Sequence, residues 1–385
     1  MKKKIFILFF VLITVMLLTV IFNNHKNNDV FNNKVNGKLI KKDLLTMNLE
    51  QTAGAGDYKS VTQSEWPMEG YIFNAELSKC ENGGELSWDN AKKVVLMSGN
   101  VSDKCYVYFN VARYDQECND NTLSCYIAKK YGNLNSSSIY YHDASLKNGA
   151  NDLSYRYAGS SSDVNNYICL GSDAATCPDA NLFRIIGVFG DQTKVIRAKS
   201  VGDKQWHTSN DNTWSSSSLN TYLNGEYLTG LGTLADKIAT TTWKVGGNAE
   251  TNIINVVPMV AYANEIKNPD AINSNDNATT YDAKVGLMYV SDYSFAACPE
   301  AWTLMINSYD NAIALSSNWM YMGLYEWTIS RDSSSNYISF NIDKTGAVMR
   351  SGCGFNYAIR VTFNLNSSVT YVSGTGTQSD PIRIN

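Results

Sequence analysis

An apolar run of eighteen residues, 5–22, limits the architecture of this chain more than any other segment. As a helix, a run of that length spans about 27 Å, close to the thickness of the hydrocarbon core of a bilayer. Residues 2–4 are lysines and no acidic residue precedes the run, and this charge bias places the amino terminus in the cytoplasm. We therefore predict that residues 5–22 cross the lipid bilayer once and that the following body lies outside the cell.

The residues at the carboxyl end of the apolar run distinguish a retained anchor from a cleaved signal peptide. Cleavage requires small residues at the processing site, but bulky residues between Leu18 and Phe22 occupy nearly every candidate position. We predict a retained signal-anchor, and hence a cell-membrane protein with an extracellular body. Cleavage would instead give a secreted protein, and both outcomes leave the body in an oxidising compartment.

The charge distribution argues against nucleic acid as a partner. The net charge is −4, and no basic run occurs beyond residues 2–4. Binding to a phosphate backbone requires clustered lysine and arginine. The chain is instead rich in Asn, Ser, Thr, Tyr and Gly, and with 12% aromatic residues this composition favours strands and turns over long helices.

All eight cysteines follow the apolar run, and an even number in an oxidising compartment indicates disulfides. Sequential pairing is the simplest arrangement: Cys80 with Cys105, Cys118 with Cys125, Cys169 with Cys177, and Cys298 with Cys353. Buried free thiols are the alternative, because eight cysteines in a chain of this length do not make a dense disulfide scaffold. No metal site is predicted, since the chain lacks a C-x-x-C pair and its three histidines are isolated.

The chain divides into four predicted segments. Residues 1–22 form the signal-anchor, and residues 23–58 form a polar spacer that ends in a stalk helix over 38–51. Residues 59–153 form a small β-rich module stapled by disulfides. Residues 154–385 form a larger domain in which helices come first and antiparallel strands follow, which is typical of the α+β class.

Hydrophobic periodicity and turn residues predict the individual elements of both parts. Strands are expected at 71–73, 94–97 and 105–109, and a helix at 120–130 with Asp120 or Asn121 as its cap. In the larger domain the predicted elements are a hairpin over 182–197, helices over 219–227 and from 233, a buried strand over 285–290, a hairpin over 338–350 and strands near 359–365 and 369–384.

From about Tyr155 to the end, several motifs resemble a family of uncharacterised bacterial surface proteins. The matching stretches include Arg184-Ile-Ile-Gly-Val188, Leu219-Asn-Thr-Tyr-Leu-Asn224, Val285-Gly-Leu-Met-Tyr-Val-Ser-Asp-Tyr293, Trp327-Thr-Ile-Ser330 and Ile359-Arg-Val361. The resemblance implies a C-type-lectin-like domain similar to the fold of formylglycine-generating enzymes. Two residues depart from the family pattern: Phe183 stands where relatives usually have Trp, and Val361 where they usually have Pro.

The sequence offers weak support for catalysis, and we assign no catalytic residue, metal ligand or cofactor. The catalytic form of the resembled fold needs a reactive cysteine pair that binds copper, and a structural disulfide accounts better for Cys298 and Cys353. A G-x-S-x-G motif is missing, and His207 and His142 are interpreted as loop residues.

Glycoside cleavage needs two carboxylates at a set distance in space, and sequence spacing does not reveal that distance. Glu265 and similar residues such as Glu326 therefore stay open as candidates. The Asn/Asp-rich stretch 273–278 lacks the glycine and terminal glutamate of a calcium loop and is interpreted as a solvated loop.

Aromatic residues in Asn/Ser/Asp-rich surroundings are the remaining functional signal. The candidate ligand-binding residues are Trp206, Trp214, Trp319, Tyr321, Trp327 and Tyr337. Exposed rings beside amides suit sugar stacking or a protein interface. Trp206 and Trp214 are predicted to be exposed, whereas Trp319 and Trp327 are better explained as core residues.

The leading hypothesis is a membrane-tethered extracellular recognition protein that binds a glycan or a protein without catalysis. The alternatives are an exported enzyme, either a glycoside-active hydrolase or a copper-thiol oxidase, and a structural component of the cell envelope.

Overall fold

The computed structural model describes residues 44–61, 69–100, 102–132, 138–267 and 279–385, with the backbone of two short strands at 34–35 and 38–39. Among these residues, no helix combines the length and the apolar character that a membrane crossing requires. The predicted signal-anchor, most of the spacer and the stretch 273–278 lie outside the described residues.

The chain has a mixed α+β fold in which most strand pairs are antiparallel, and it forms two compact units. The smaller unit extends to Ala112, and the larger unit runs from Arg113 to Asn385. The predicted boundary at 153 is therefore too late, because residues 113–153 belong to the larger unit.

The smaller unit consists of two sheets. Its strands are β1 (Lys34–Val35), β2 (Lys38–Leu39), β3 (Leu45–Glu50), β4 (Tyr58–Val61), β5 (Tyr71–Phe73), β6 (Lys79–Cys80), β7 (Glu85–Asp89), β8 (Val94–Ser98) and β9 (Cys105–Val111). One sheet has the order β2-β1-β8-β7, and the other has the order β4-β3-β9-β5 with β6 also paired to β9. Met47, Leu49, Val95, Val107 and Phe109 pack together as a shared core.

The predicted stalk helix over 38–51 is wrong, because this segment contains β2 and β3 instead. β3 lies between β4 and β9, and it pairs with β9 in parallel. Its side chains alternate between faces, so Met47 and Leu49 enter the core. Asn48 on the other face accepts a hydrogen bond from Ser60 at 2.8 Å. Pairing with strands distant in sequence thus overrides a spacing that also fits a helix.

The larger unit is built on two main sheets. Its strands are β10 (Ile139–Tyr141), β11 (Tyr155–Tyr157), β12 (Tyr167–Cys169), β13 (Leu182–Phe189), β14 (Gln192–Arg197), β15 (Asp203–Gln205), β16 (Thr241–Lys244), β17 (Thr280–Ala283), β18 (Val285–Leu287), β19 (Glu326–Arg331), β20 (Ile338–Ile342), β21 (Val348–Gly352), β22 (Asn356–Ala358), β23 (Val361–Leu365), β24 (Tyr371–Ser373) and β25 (Arg383–Ile384). The first sheet has the order β10-β11-β13-β14-β23-β18 with β12 beside β13, and the second has the order β15-β22-β19-β20-β21.

Short helices connect these strands. They are α1 (Tyr114–Glu117), α2 (Leu123–Ala128), α3 (Ser218–Tyr222), α4 (Leu228–Gly230), α5 (Glu250–Ile253), α6 (Pro258–Tyr262), α7 (Val290–Phe295) and α8 (Ala312–Ser316). A π-helical turn over Leu223–Tyr227 joins α3 to α4, and a 3-10 helix follows over Gly232–Lys237. The helices predicted near 120–130 and 219–227 are confirmed, although the cap of α2 is Thr122, whose Oγ1 accepts a hydrogen bond from the Cys125 N–H.

Both predicted hairpins of the larger unit are confirmed. β13 and β14 pair from Phe183↔Arg197 to Phe189↔Gln192, and β20 pairs with β21 from Ile338↔Gly352 to Ile342↔Val348. Gly187 sits at an irregularity of β13, where a Cβ atom would approach the Tyr155 carbonyl oxygen to 2.1 Å. Only glycine permits that close pairing of β11 with β13.

Three of the four predicted disulfides are present: Cys80 with Cys105, Cys118 with Cys125, and Cys169 with Cys177. The fourth prediction is wrong, because Cys298 and Cys353 are free thiols. Cys353 lies between β21 and β22 with its sulfur 3.3 Å from the Ser339 hydroxyl. Cys298 precedes a 3-10 helix, and its N–H donates to the Ser317 hydroxyl. The two thiols are thus held against different elements.

Candidate ligand-binding surface

Trp206 and Trp214 are buried, so the prediction that both are exposed is wrong. Their rings lie 5.2 Å apart between centroids, and the Trp206 indole donates to the Thr328 carbonyl oxygen at 3.0 Å. Thr208, Ser209 and Asn210 are exposed, while the Trp206 ring turns inward beneath β19. Neither ring offers a face to a ligand.

The other predicted aromatic candidates divide between core and surface. Trp319 and Trp327 are buried, with indole hydrogen bonds to the carbonyl oxygens of Tyr157 at 2.8 Å and Lys204 at 3.0 Å. Tyr321 is half-buried. Tyr337 is 47% exposed, so it is the candidate whose ring is most accessible to a ligand.

Two exposed aromatic rings flank a half-buried one on the second sheet of the larger unit. We call this set, Tyr325, Tyr357 and Phe355, the aromatic row. Tyr325 is 42% exposed and Phe355 is 57% exposed. The rings of Tyr325 and Tyr357 lie 5.1 Å apart at 20°, and those of Phe355 and Tyr357 lie 5.8 Å apart at 7°. Stacked rings of this size present a continuous apolar surface to solvent.

The register of the second sheet places these rings side by side. Tyr325 precedes β19 and Tyr357 lies in β22, and the parallel pairing Glu326↔Ala358 puts them level with each other. The Ala358 N–H donates to the Tyr325 carbonyl oxygen at 2.9 Å. Phe355 is two residues before Tyr357, and residues two apart share one face of a strand.

Buried and polar groups hold the aromatic row in place. The buried ring of Trp327 lies 4.7 Å from that of Tyr357. The Tyr357 hydroxyl is 3.1 Å from that of Ser351. The turn that carries Phe355 is fixed by Asn210, whose Oδ1 accepts a hydrogen bond from the Gly354 N–H at 3.0 Å. The row is therefore preorganised by its supports, which lowers the entropic cost of binding.

One exposed amide, Asn210, lies at the turn that carries Phe355. Asn356 in β22 and Asp203 in β15 are also exposed, but alternation along β22 directs both side chains to the face opposite Tyr357. A ring surface with a neighbouring amide can stack on the C–H face of a sugar and hydrogen-bond to its hydroxyls.

A separate cleft of about 660 Å³ lies beside the loop closed by the Cys169–Cys177 disulfide. Ser172, Lys237 and Arg383 are among its lining residues, and the lining shares no residue with the aromatic row. The Arg383 guanidinium donates to the carbonyl oxygens of Ser172 and Ala174, both at 2.8 Å. Because its charge is engaged in holding the loop, Arg383 does not mark the cleft as a ligand site.

The surroundings of Cys353 disfavour copper-thiol chemistry at this residue. Burial raises the pKa of Cys353 to about 12, so its thiol stays protonated at neutral pH. The thiolate is the form that binds metal or attacks a substrate. Within the described part of the chain, one cluster contains three potential metal-binding side chains, Cys80, Asp103 and Cys105, but its two sulfurs are bonded to each other.

We expect one of the two thiols to react in the folded protein. Cys298 is partly accessible, whereas Cys353 is buried and protonated, so iodoacetamide at neutral pH should label Cys298 and leave Cys353 unmodified. After denaturation without reduction, both should be labelled. Peptide mass spectrometry locates the label, and rapid native labelling of Cys353 would contradict its burial.

No protein-family model, curated protein or solved structure matches this chain. The aromatic row is thus assigned from its own geometry. Sequence reasoning missed it because Tyr325 and Tyr357 become neighbours only through the pairing of β19 with β22. The sequence alone offers one signal for the row: Phe355 and Tyr357 are two residues apart in an Asn/Gly-rich segment, a spacing that places both rings on one face of a strand.

Proposed function

We propose that this chain is a membrane-tethered extracellular recognition protein whose larger unit binds carbohydrate through the aromatic row. The observation that carries the proposal is the stack of Tyr325, Tyr357 and Phe355, whose outer two rings are exposed, next to the exposed amide of Asn210. Aromatic faces supply the apolar contact that sugars need, and the neighbouring amide supplies direction.

The tether and the compartment have separate support. The apolar run 5–22 and the preceding lysines favour a single membrane crossing with the body outside. Three disulfides fit an oxidising environment. The resemblance to C-type-lectin-like domains fits a recognition role, and the mixed α+β architecture of the larger unit is compatible with it.

A glycan array probed with the full chain in detergent tests the proposal. We expect selective binding that weakens on the order of tenfold in Tyr325→Ala and in Phe355→Ala, because each change removes one ring face. Met305→Ala is the control, since Met305 is 53% exposed and belongs neither to the aromatic row nor to the predicted ligand-binding residues. Equal binding by all variants would exclude the aromatic row as the site. Silence of the wild-type chain on the array would favour a protein ligand or a structural role.

A further inference from the structure

A lysine and an aspartate meet in the core of the larger unit, away from the residues of the aromatic row. The Lys194 ammonium nitrogen on β14 lies 2.5 Å from an Asp292 carboxylate oxygen on α7. Their side chains are 8% and 2% exposed. The rings of Tyr289, Phe189 and Trp243 surround the ammonium group at 4.6, 5.5 and 5.7 Å. Water is therefore largely excluded from the pair.

Other ionisable groups complete this cluster. Arg156 pairs with Asp152 at 2.5 Å and lies 3.7 Å from the second oxygen of Asp292. Glu265 accepts hydrogen bonds from the N–H groups of Val290 and Ser291 and from the Ser330 hydroxyl. Burial raises the pKa of Glu265, which favours its uncharged form. Lys194 and Arg156 thus face the carboxylates of Asp292 and Asp152.

We propose that Lys194 and Asp292 react to form an intramolecular amide bond. The Lys194 nitrogen attacks the Asp292 carboxyl carbon, a new N–C bond forms, and one carboxyl C–O bond breaks. The nitrogen loses two protons, which leave with that oxygen as one molecule of water. The step balances without an oxidant, a reductant or a co-reactant.

The local structure favours this condensation over a lasting ion pair. The Tyr289 N–H donates to the same Asp292 oxygen at 2.9 Å, and Lys194 lies in a strand paired on both sides, so both groups are held in position. Fixed contact between two reacting groups acts like a very high local concentration. Burial lowers the pKa of Lys194, which favours the nucleophilic amine, and condensation removes two charges that are costly to keep out of water.

The chain contains an internal control for the effect of burial. Lys199 and Asp179 also approach to 2.5 Å, but their side chains are 58% and 66% exposed. Water keeps that pair hydrated and ionised, so we expect no bond between them. The buried pairs Arg156–Asp152 and Arg360–Glu326 cannot react in this way, because a guanidinium group stays protonated and is not a nucleophile.

Peptide mapping of the full chain by mass spectrometry tests the bond directly. After reduction, alkylation and tryptic digestion, we expect residues 185–197 joined to residues 285–331, with a mass one water below the sum of the two peptides. Trypsin cannot cleave at an acylated Lys194. The peptides that contain Asp179 and Lys199 should remain separate. Recovery of the linear peptide 185–194 and an unlinked 285–331 as the main species would overturn the proposal.

A substitution then locates the bond. Lys194→Met keeps an apolar side chain of similar length but removes the amine, so its denatured and reduced chain should carry the mass of one additional water after correction for the substitution. It should also migrate more slowly than wild type in a denaturing gel, since the bond would join residues 98 positions apart. Identical migration and no mass difference would argue against the bond. The result does not depend on carbohydrate binding.

Discussion

Replacing Arg360 with methionine is expected to lower the free energy of unfolding by about 3–5 kcal/mol. Arg360 donates to both oxygens of Glu326 at 2.6 and 2.9 Å, and its remaining contact is the Met320 carbonyl oxygen at 2.7 Å. Both charged side chains are buried. Without the guanidinium, the Glu326 carboxylate would be left in the core with no cation. Urea denaturation at pH 7 measures the change.

A double variant separates loss of the cation from loss of packing. Arg360→Met combined with Glu326→Leu removes both charges and their cost of desolvation, so most of the lost stability should return. A double variant as unstable as the single one would show that packing around Arg360 is the cause. Lys92→Met is the exposed control: Lys92 pairs with Asp89 at 2.8 Å in solvent, and its replacement should change stability little.

Elements that depend on local patterns were predictable from the sequence. The hairpin of β13 and β14 has apolar strands around Gly190, whose positive φ of 63° suits a tight turn. The hairpin of β20 and β21 turns through Asp343, whose carboxylate accepts hydrogen bonds from the Thr345 N–H and hydroxyl at 2.7 and 2.6 Å. In both cases the strand period and the turn chemistry lie within one short window.

Elements that depend on distant partners were not predictable in this way. Ile40, Leu44 and Met47 have the spacing of a helix, whereas Leu45, Met47 and Leu49 have that of a strand, and the parallel pairing of β3 with β9 decides between them. The same limit applies to Trp206, because its polar neighbours predict exposure while β19 provides a hydrogen-bond partner that sequence cannot reveal. The aromatic row likewise arises from strand register.

Cysteine pairing shows the same difference between local contacts, which the sequence predicts, and distant contacts, which it does not. The disulfides between Cys118 and Cys125 and between Cys169 and Cys177 close loops with separations of 7 and 8, so the chain itself keeps the sulfurs close. Cys298 and Cys353 are much farther apart in sequence, and only the tertiary fold decides whether they meet. Sequential pairing is thus a sound prediction for close cysteines and a weak one for distant ones.

His142 places a base in a strongly apolar site. Its ring lies 5.1 Å from that of Phe295 and 5.2 Å from that of Trp302, and its Nδ1 accepts a hydrogen bond from the Ala150 N–H at 2.9 Å. Burial, followed by the nearby charge of Arg156, lowers its pKa to about 3. In the unfolded chain, the same histidine titrates near its ordinary pKa of about 6.5.

We expect the folded protein to lose stability as the pH falls from about 6.5 towards 3. In that window the unfolded state binds a proton at His142 and the folded state does not, so acid favours unfolding by about 3 kcal/mol between pH 7 and pH 4. The raised pKa values of Glu265 and Glu326 act in the opposite direction, because their contribution is lost as the pH rises. Comparison with His142→Asn, which keeps an acceptor for the Ala150 N–H but does not titrate, isolates the histidine. Urea denaturation at several pH values should give a smaller loss of stability in acid for the variant, and equal losses in both proteins would contradict a buried neutral His142.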